Sequence, residues 1–369
     1  MTRLEEVLIK EQRLHELMES KSLTGILLKK QANFSWFTAG GLNMVGIASE
    51  MGVTALLITR EGRYLIANRI EAGRMLNDEG LGELGFELLE YEWFADREAE
   101  LARQVAGDLA KVGADVPFAN CPNLDGAIKE LRYCLTENEI ERYRFLGRKL
   151  SLAVEKTMLG IKPGDSECEI AGRIGALLWP DRIDPTGFLI ASDERIYSYR
   201  HPIPTAKLIR RYVMVSVNAR YQGLITTITR MLHFGKPDPG LLRQYQDNLE
   251  IDCRMIAATR PGVPLNHPFK TGLAAYGEFG YPDEWRLHHQ GGAMGYYARD
   301  IKVTGETEDT ARENQAFCWN PSITGTKTED GFIAAAAGPL LITAPVAYPA
   351  VNCAVDGVLL SRPGMLVVD

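Results

Sequence analysis

Tyr212-Val213-Met214-Val215-Ser216-Val217 and, after a break at Gln222-Gly223, Leu224-Ile225-Thr226-Thr227-Ile228-Thr229-Arg230-Met231 are the stretches on which the reading of this chain turns. Both are rich in β-branched residues, and a glycine turn separates them. That pattern predicts two paired strands, Tyr212–Val217 and Gly223–Met231. Ala316–Ile323 and Gly331–Ala336 read as further strands, and Leu241–Thr259 as a long helix between them. Strands and helices are partly segregated, which predicts an α+β domain with a mainly antiparallel sheet. No acidic residue stands between Val213 and Phe234.

Upstream, two helix starts carry capping-box spacing, Thr136 with Glu139 and Ser166 with Glu169. The first marks a boundary, giving domains at 1–133 and 134–369. The first domain alternates helix and strand: a helix over Leu4–Met18, strands at Gly25–Leu28, Val53–Thr59 and Tyr64–Ala67, and helices at Ile70–Asn77 and Arg97–Lys111. That order predicts a small α/β domain. Two domains also suit the length of 369 residues.

Composition excludes several partners. The net charge of −7 speaks against nucleic acid or an anionic membrane. No apolar run is long enough for a membrane span, and the start Met1-Thr2-Arg3-Leu4-Glu5-Glu6 lacks a signal peptide's apolar stretch, so the expected place is the cytoplasm. Six scattered cysteines form no C-x-x-C pair and are expected to be reduced.

Several segments, in order, resemble the pita-bread family of creatinase, prolidase and aminopeptidase P. They are Thr136-Glu137-Asn138-Glu139-Ile140-Glu141, Gly160-Ile161-Lys162-Pro163-Gly164, the block Val213–Pro237, His288-His289-Gln290-Gly291-Gly292-Ala293-Met294-Gly295, Asn320-Pro321 and Glu329-Asp330. Asn33-Phe34-Ser35-Trp36-Phe37-Thr38 is similar to part of the creatinase-type N-terminal domain. The resemblance implies that domain at 1–133 and a pita-bread domain at 134–369.

Peptidases of the family hold two divalent cations with two aspartates, one histidine and two glutamates. The resemblance places these at Ser216, Thr227, Gly292, Asn320 and Glu329, so only Glu329 is kept. One carboxylate cannot neutralise two dications. No metal and no cofactor are therefore expected.

Creatinase uses this fold without metal, and His201 falls at its acid/base histidine. The resemblance thus makes His201 the general acid/base and Glu329 an orienting base or cation anchor. Arg230, Arg299, His288, His289, Gln290 and Asn320 are the candidate substrate-binding residues, with Gly291-Gly292 read as a flexible loop able to hold an anion. Creatine itself is disfavoured, because creatinase's second pocket glutamate is Thr229 here and its N-terminal-domain contributions fall at Ile47 and Ser49.

The leading expectation is a metal-independent hydrolase or lyase acting on a small carboxylate- or amine-bearing metabolite. Two alternatives are a non-catalytic pseudo-peptidase binding a peptide, metabolite or protein, and an Xaa-Pro dipeptidase-like metallopeptidase with an atypical site. The resemblance also implies a homodimer. Trp36 and Phe37 are read as core rather than as a lining shared between subunits.

Overall fold

The computed structural model describes all residues, 1–369. The chain divides into two compact units, Met1–Asn138 and Glu139–Asp369. The division lies slightly beyond the capping-box residue Thr136 and the expected boundary.

The first unit is built on a five-stranded sheet of β1 (Gly25–Lys30), β2 (Met51–Thr59), β3 (Arg63–Asn68), β4 (Phe86–Tyr91) and β5 (Val112–Ala114), in the order β4-β3-β2-β1-β5. β1–β2 and β2–β3 are antiparallel, whereas β3–β4 and β1–β5 are parallel. Leu27, Ala55, Leu57 and Ile66 pack with Leu101 and Ala102 of the helix Glu98–Ala106. The helix expected over Arg97–Lys111 ends at Gly107, whose φ of +76° suits glycine and breaks the helical run. The helix Arg3–Ser20 starts at a capping box of Thr2 and Glu5 and buries Val7, Leu14 and Met18. Trp36 and Phe37 are fully buried, as core residues should be.

The second unit holds a nine-stranded sheet. Its main strands are β6 (Asp184–Ser192), β7 (Tyr212–Tyr221), β8 (Leu224–Phe234), β9 (Gly291–Ala293), β10 (Ile301–Lys302) and β11 (Gln315–Trp319). A small hairpin, β12 (Ser322–Ile323) and β13 (Thr326–Lys327), then leads into β14 (Asp330–Ala334). The order is β10-β9-β11-β14-β8-β7-β6, with antiparallel neighbours throughout. Helices Glu137–Leu159, Glu167–Leu178, Pro239–Ala258 and Asn266–Glu278 accompany it. The Ser166–Glu169 capping box forms as the spacing predicts.

Side chains alternate across a strand, and here the alternation separates two polar systems. In the β7–β8 ladder Ser216 pairs with Thr229 and Val215 with Arg230. Ser216 and Thr229 turn towards Glu329. Arg230 turns the other way, into a fully buried network, where it pairs with Glu155 at 3.0 Å and Asp330 at 2.9 Å. Asp330 also meets Arg362 at 3.2 Å. Arg362 in turn pairs with Asp252.

Candidate functional site

Glu329 lies between β13 and β14 and is tied into the sheet by its carbonyl oxygen, which accepts from Thr229 N at 2.8 Å. Lys327 stands two residues earlier, and both side chains are buried. Each carboxylate oxygen of Glu329 meets one cation: Oε2 meets Lys327 Nζ at 2.9 Å, and Oε1 meets Arg299 Nη2 at 2.9 Å. Ser216 and Thr229 donate hydroxyls to Oε2 at 3.0 and 3.1 Å. Burial alone would raise the pKa of this carboxyl, but Lys327 and Arg299 hold it well below the usual range. Glu329 is thus permanently ionised and fully engaged. Cys318 lies 3.6 Å from Oε1, and burial pushes its thiol up, which removes it as a nucleophile.

Beside this cluster three histidines converge. His201 Nε2 and His288 Nε2 are 2.9 Å apart. The His289 ring stacks on His288 with centroids 4.4 Å apart and lies 5.9 Å from that of His201. Burial, and then the Lys327 charge, lowers His288 to about 2. Burial and Arg299 lower His289 to about 4. His201, the most exposed of the three, is also lowered, by its partial burial and then by Lys327. All three rings are neutral at pH 7, so the His201–His288 contact pairs a ring N–H with an unprotonated ring nitrogen.

The segments carrying these rings are cross-linked. Arg200, next to His201, pairs with Glu284 in the turn that precedes His288, and donates to Thr324 Oγ1 at 2.8 Å. Arg195 donates to Ile203 O at 2.9 Å, and Glu167 accepts from Thr205 N at 2.9 Å, pinning the other side of the His201 segment. Gln290 spends its amide on structure: Nε2 donates to His288 O at 2.7 Å, and Oε1 accepts from Tyr276 Oη at 3.0 Å.

A cavity of about 570 Å³ is lined by His201, His289, Arg299, Lys302, Asn320, Lys327 and Glu329, with Phe188, Leu189 and Ile203 as apolar walls. Three cations face one carboxylate, so with neutral histidines the cavity is positive in a chain of net charge −7. Three buried polar atoms of lining residues have no partner within the protein: Arg299 Nε, a donor, Asn320 Oδ1, an acceptor, and His289 Nδ1.

The residues do not fit a pair of divalent cations. Ser216, Thr227 and Asn320 are neutral, and both oxygens of Glu329 already carry side-chain cations. Gly292 could not be replaced by a histidine, because its φ is +145° and a Cβ there would lie 2.1 Å from Ile301 O. The ligand nitrogens of His201, His288 and His289 lie within 4.8 Å of one another, a spacing that one ion could use. Lys327, Arg299 and Lys302 oppose a dication there.

Of the expected site residues, His201, His289, Arg299, Asn320 and Glu329 meet at one cavity. His288 joins them through His201 and faces a neighbouring cavity. Four expectations need correction. Arg230 is fully buried and spent on Glu155, Asp330 and two carbonyls, so it has no role in substrate binding. Gln290 positions the histidine segment, because its amide is already bonded. Of the two roles expected for Glu329, the cations on its oxygens make it too weak a base to take up a proton, and it serves as their anchor. Likewise Gly291-Gly292 is no flexible loop but the start of β9, packed between β10 and β11. Lys327 and Lys302 are the site residues that the sequence reading missed. Lys327 had one signal, its two-residue spacing from Glu329 on an extended segment.

Fold and site together define a two-domain protein of the pita-bread, creatinase and prolidase kind. The Creatinase/Prolidase N-terminal domain description matches residues 11–146, and that of Metallopeptidase family M24 matches residues 141–338. The chain belongs to metallopeptidase family M24. An uncharacterized peptidase of Staphylococcus aureus (strain USA300) is 22% identical over 230 residues, 60% of this chain and 65% of that protein. The chain therefore spans just under two thirds of that relative's length. The Xaa-Pro dipeptidase of Pyrococcus horikoshii is 22% identical over 335 residues, 85% of this chain and 91% of that one. The solved Xaa-Pro dipeptidase from Bacillus anthracis superposes with a TM-score of 0.78 at 19% identity, covering 98% of this chain and 100% of its own. No helix is long and apolar enough to cross a membrane.

Proposed function

We propose that this chain is a hydrolase that works without the family's paired metal ions on a small carboxylate-bearing substrate, with His201 as general base and acid. The observation that carries this reading is the exchange of charge at Glu329, where one side-chain cation stands on each carboxylate oxygen. An excess of positive charge at the cavity favours a carboxylate over an amine, which narrows the substrate class.

Arg299 and Lys302, which line the cavity, hold the carboxylate of the substrate. Neutral His201 takes a proton from the attacking water and returns it to the leaving group. His288, 2.9 Å away, shares that proton and keeps the ring oriented. Lys327, fixed by Glu329, stabilises negative charge developing on the substrate oxygen.

The test is the turnover of carboxylate-bearing amides by wild-type and His201→Ala protein. The variant should lose about 10²–10⁴-fold in rate, with the thermal midpoint nearly unchanged because His201 is solvent-exposed. Retained activity would overturn the assignment. Family membership favours a metal-dependent Xaa-Pro dipeptidase as the second reading, with the three-histidine cluster as the place for an ion. Metal bound there, with activity that follows it, would establish that reading.

A further inference from the structure

A second cavity, of about 730 Å³, adjoins the first, and His289 and Lys302 line both. Its character differs. Phe269, Leu273, Trp285, Leu287 and Val303 give it an apolar wall beside Arg286, Thr304 and Glu306, and Phe269 and Trp285 meet edge to face with centroids 6.1 Å apart. His288 also lines it; this residue is only 7% exposed, and its Nδ1 has no partner within the protein. The wall between the cationic and the apolar space therefore carries the histidines that the hydrolysis uses.

A ligand spanning both spaces has a carboxylate at one end and an apolar group at the other, with its polar link at the histidines. We infer that the substrate is an N-acylated amino acid whose acyl group is apolar, its carboxylate held at Arg299 and Lys302 and its acyl group between Trp285, Leu273 and Phe269. The inference rests on the proposed hydrolysis and names its substrate class. In the reaction, the water oxygen bonds to the amide carbonyl carbon. The water's proton passes through His201 to the nitrogen as the C–N bond breaks, leaving a carboxylic acid and a free amino acid. No oxidant, reductant or co-reactant is needed.

Binding and turnover separate the inference from the reading beneath it. Titration calorimetry on His201→Ala protein would compare benzoylglycine with acetylglycine, which share the carboxylate and the amide. Burying the phenyl ring should tighten benzoylglycine by about tenfold or more. Trp285→Ala should remove most of that difference, weakening benzoylglycine far more than acetylglycine. Leu287→Asp, at a residue 59% exposed and therefore safe for folding, should do the same from the rim. Equal affinity for the two ligands, failure of both to bind, or a preference undiminished in both variants would overturn the inference. Preferential binding without hydrolysis by the wild type would keep the two-part site and sink the hydrolase reading. Hydrolysis without an acyl preference would do the reverse.

Discussion

Glu329→Gln is the substitution that best separates side-chain cations from metal ions. In a site built from clustered carboxylates, removing one from the metal-free protein relieves repulsion and leaves stability equal or higher. Here the amide would leave Lys327 and Arg299 without their shared anion, in a space where their side chains are 4% and 13% exposed. Removing one partner of a buried pair costs about 3–5 kcal/mol. Solvent reaching Arg299 through the cavity places the cost near the lower end, at about 3 kcal/mol. For a domain of this size that lowers the thermal midpoint by roughly 6–12 °C. Differential scanning calorimetry in low-salt buffer reads the shift directly, and a small carboxylate such as acetate should restore part of it by standing in for Glu329. An unchanged or raised midpoint would refute the reasoning, because it would mean that the two cations do not depend on this carboxylate.

Acid should weaken the fold through the histidines. His289 is lowered to about 4 when folded, from about 6.5 when unfolded, so its contribution is complete above pH 6.5 and is lost as pH falls towards 4. The wild-type midpoint should accordingly fall more steeply over that window than that of His289→Gln; parallel curves would contradict the depressed pKa. Arg230→Met should destabilise by about 3–5 kcal/mol, because Glu155 and Asp330 lose their shared cation. In the fraction that stays folded, KM should be unchanged, whereas a raised KM would return Arg230 to the binding site.

The β7–β8 hairpin was legible because β-branched residues and a glycine turn leave little else for that stretch to form. The resemblance to the family assigned Ser216, Thr227, Gly292 and Asn320 to four of its metal-ligand positions, which spacing alone would not have done. What escaped was direction and burial. Thr229 and Arg230 are neighbours, yet strand alternation sends the first towards Glu329 and the second to the opposite side, a rule that the sequence could have supplied. A run as charged as Lys327-Thr328-Glu329-Asp330 is usually a solvated surface, but all four residues are buried. Their burial depends on Arg299, Ser216 and Arg230 arriving from distant segments, and no local pattern records that. Gly291-Gly292 looked flexible for the same reason. Glycine there serves close strand packing, with a Cβ at Gly291 falling 2.2 Å from Cys318 O.

In the proposed function Lys327 and Arg299 supply the positive charge which metal ions supply in the family's peptidases. Elemental analysis of purified protein, after incubation with zinc, manganese or cobalt and removal of the free ion, tests it most directly. The charge arrangement at Glu329 predicts well under one equivalent of bound metal and turnover that withstands chelators. Two tightly held equivalents, with activity lost on chelation and regained on adding the ion, would contradict it.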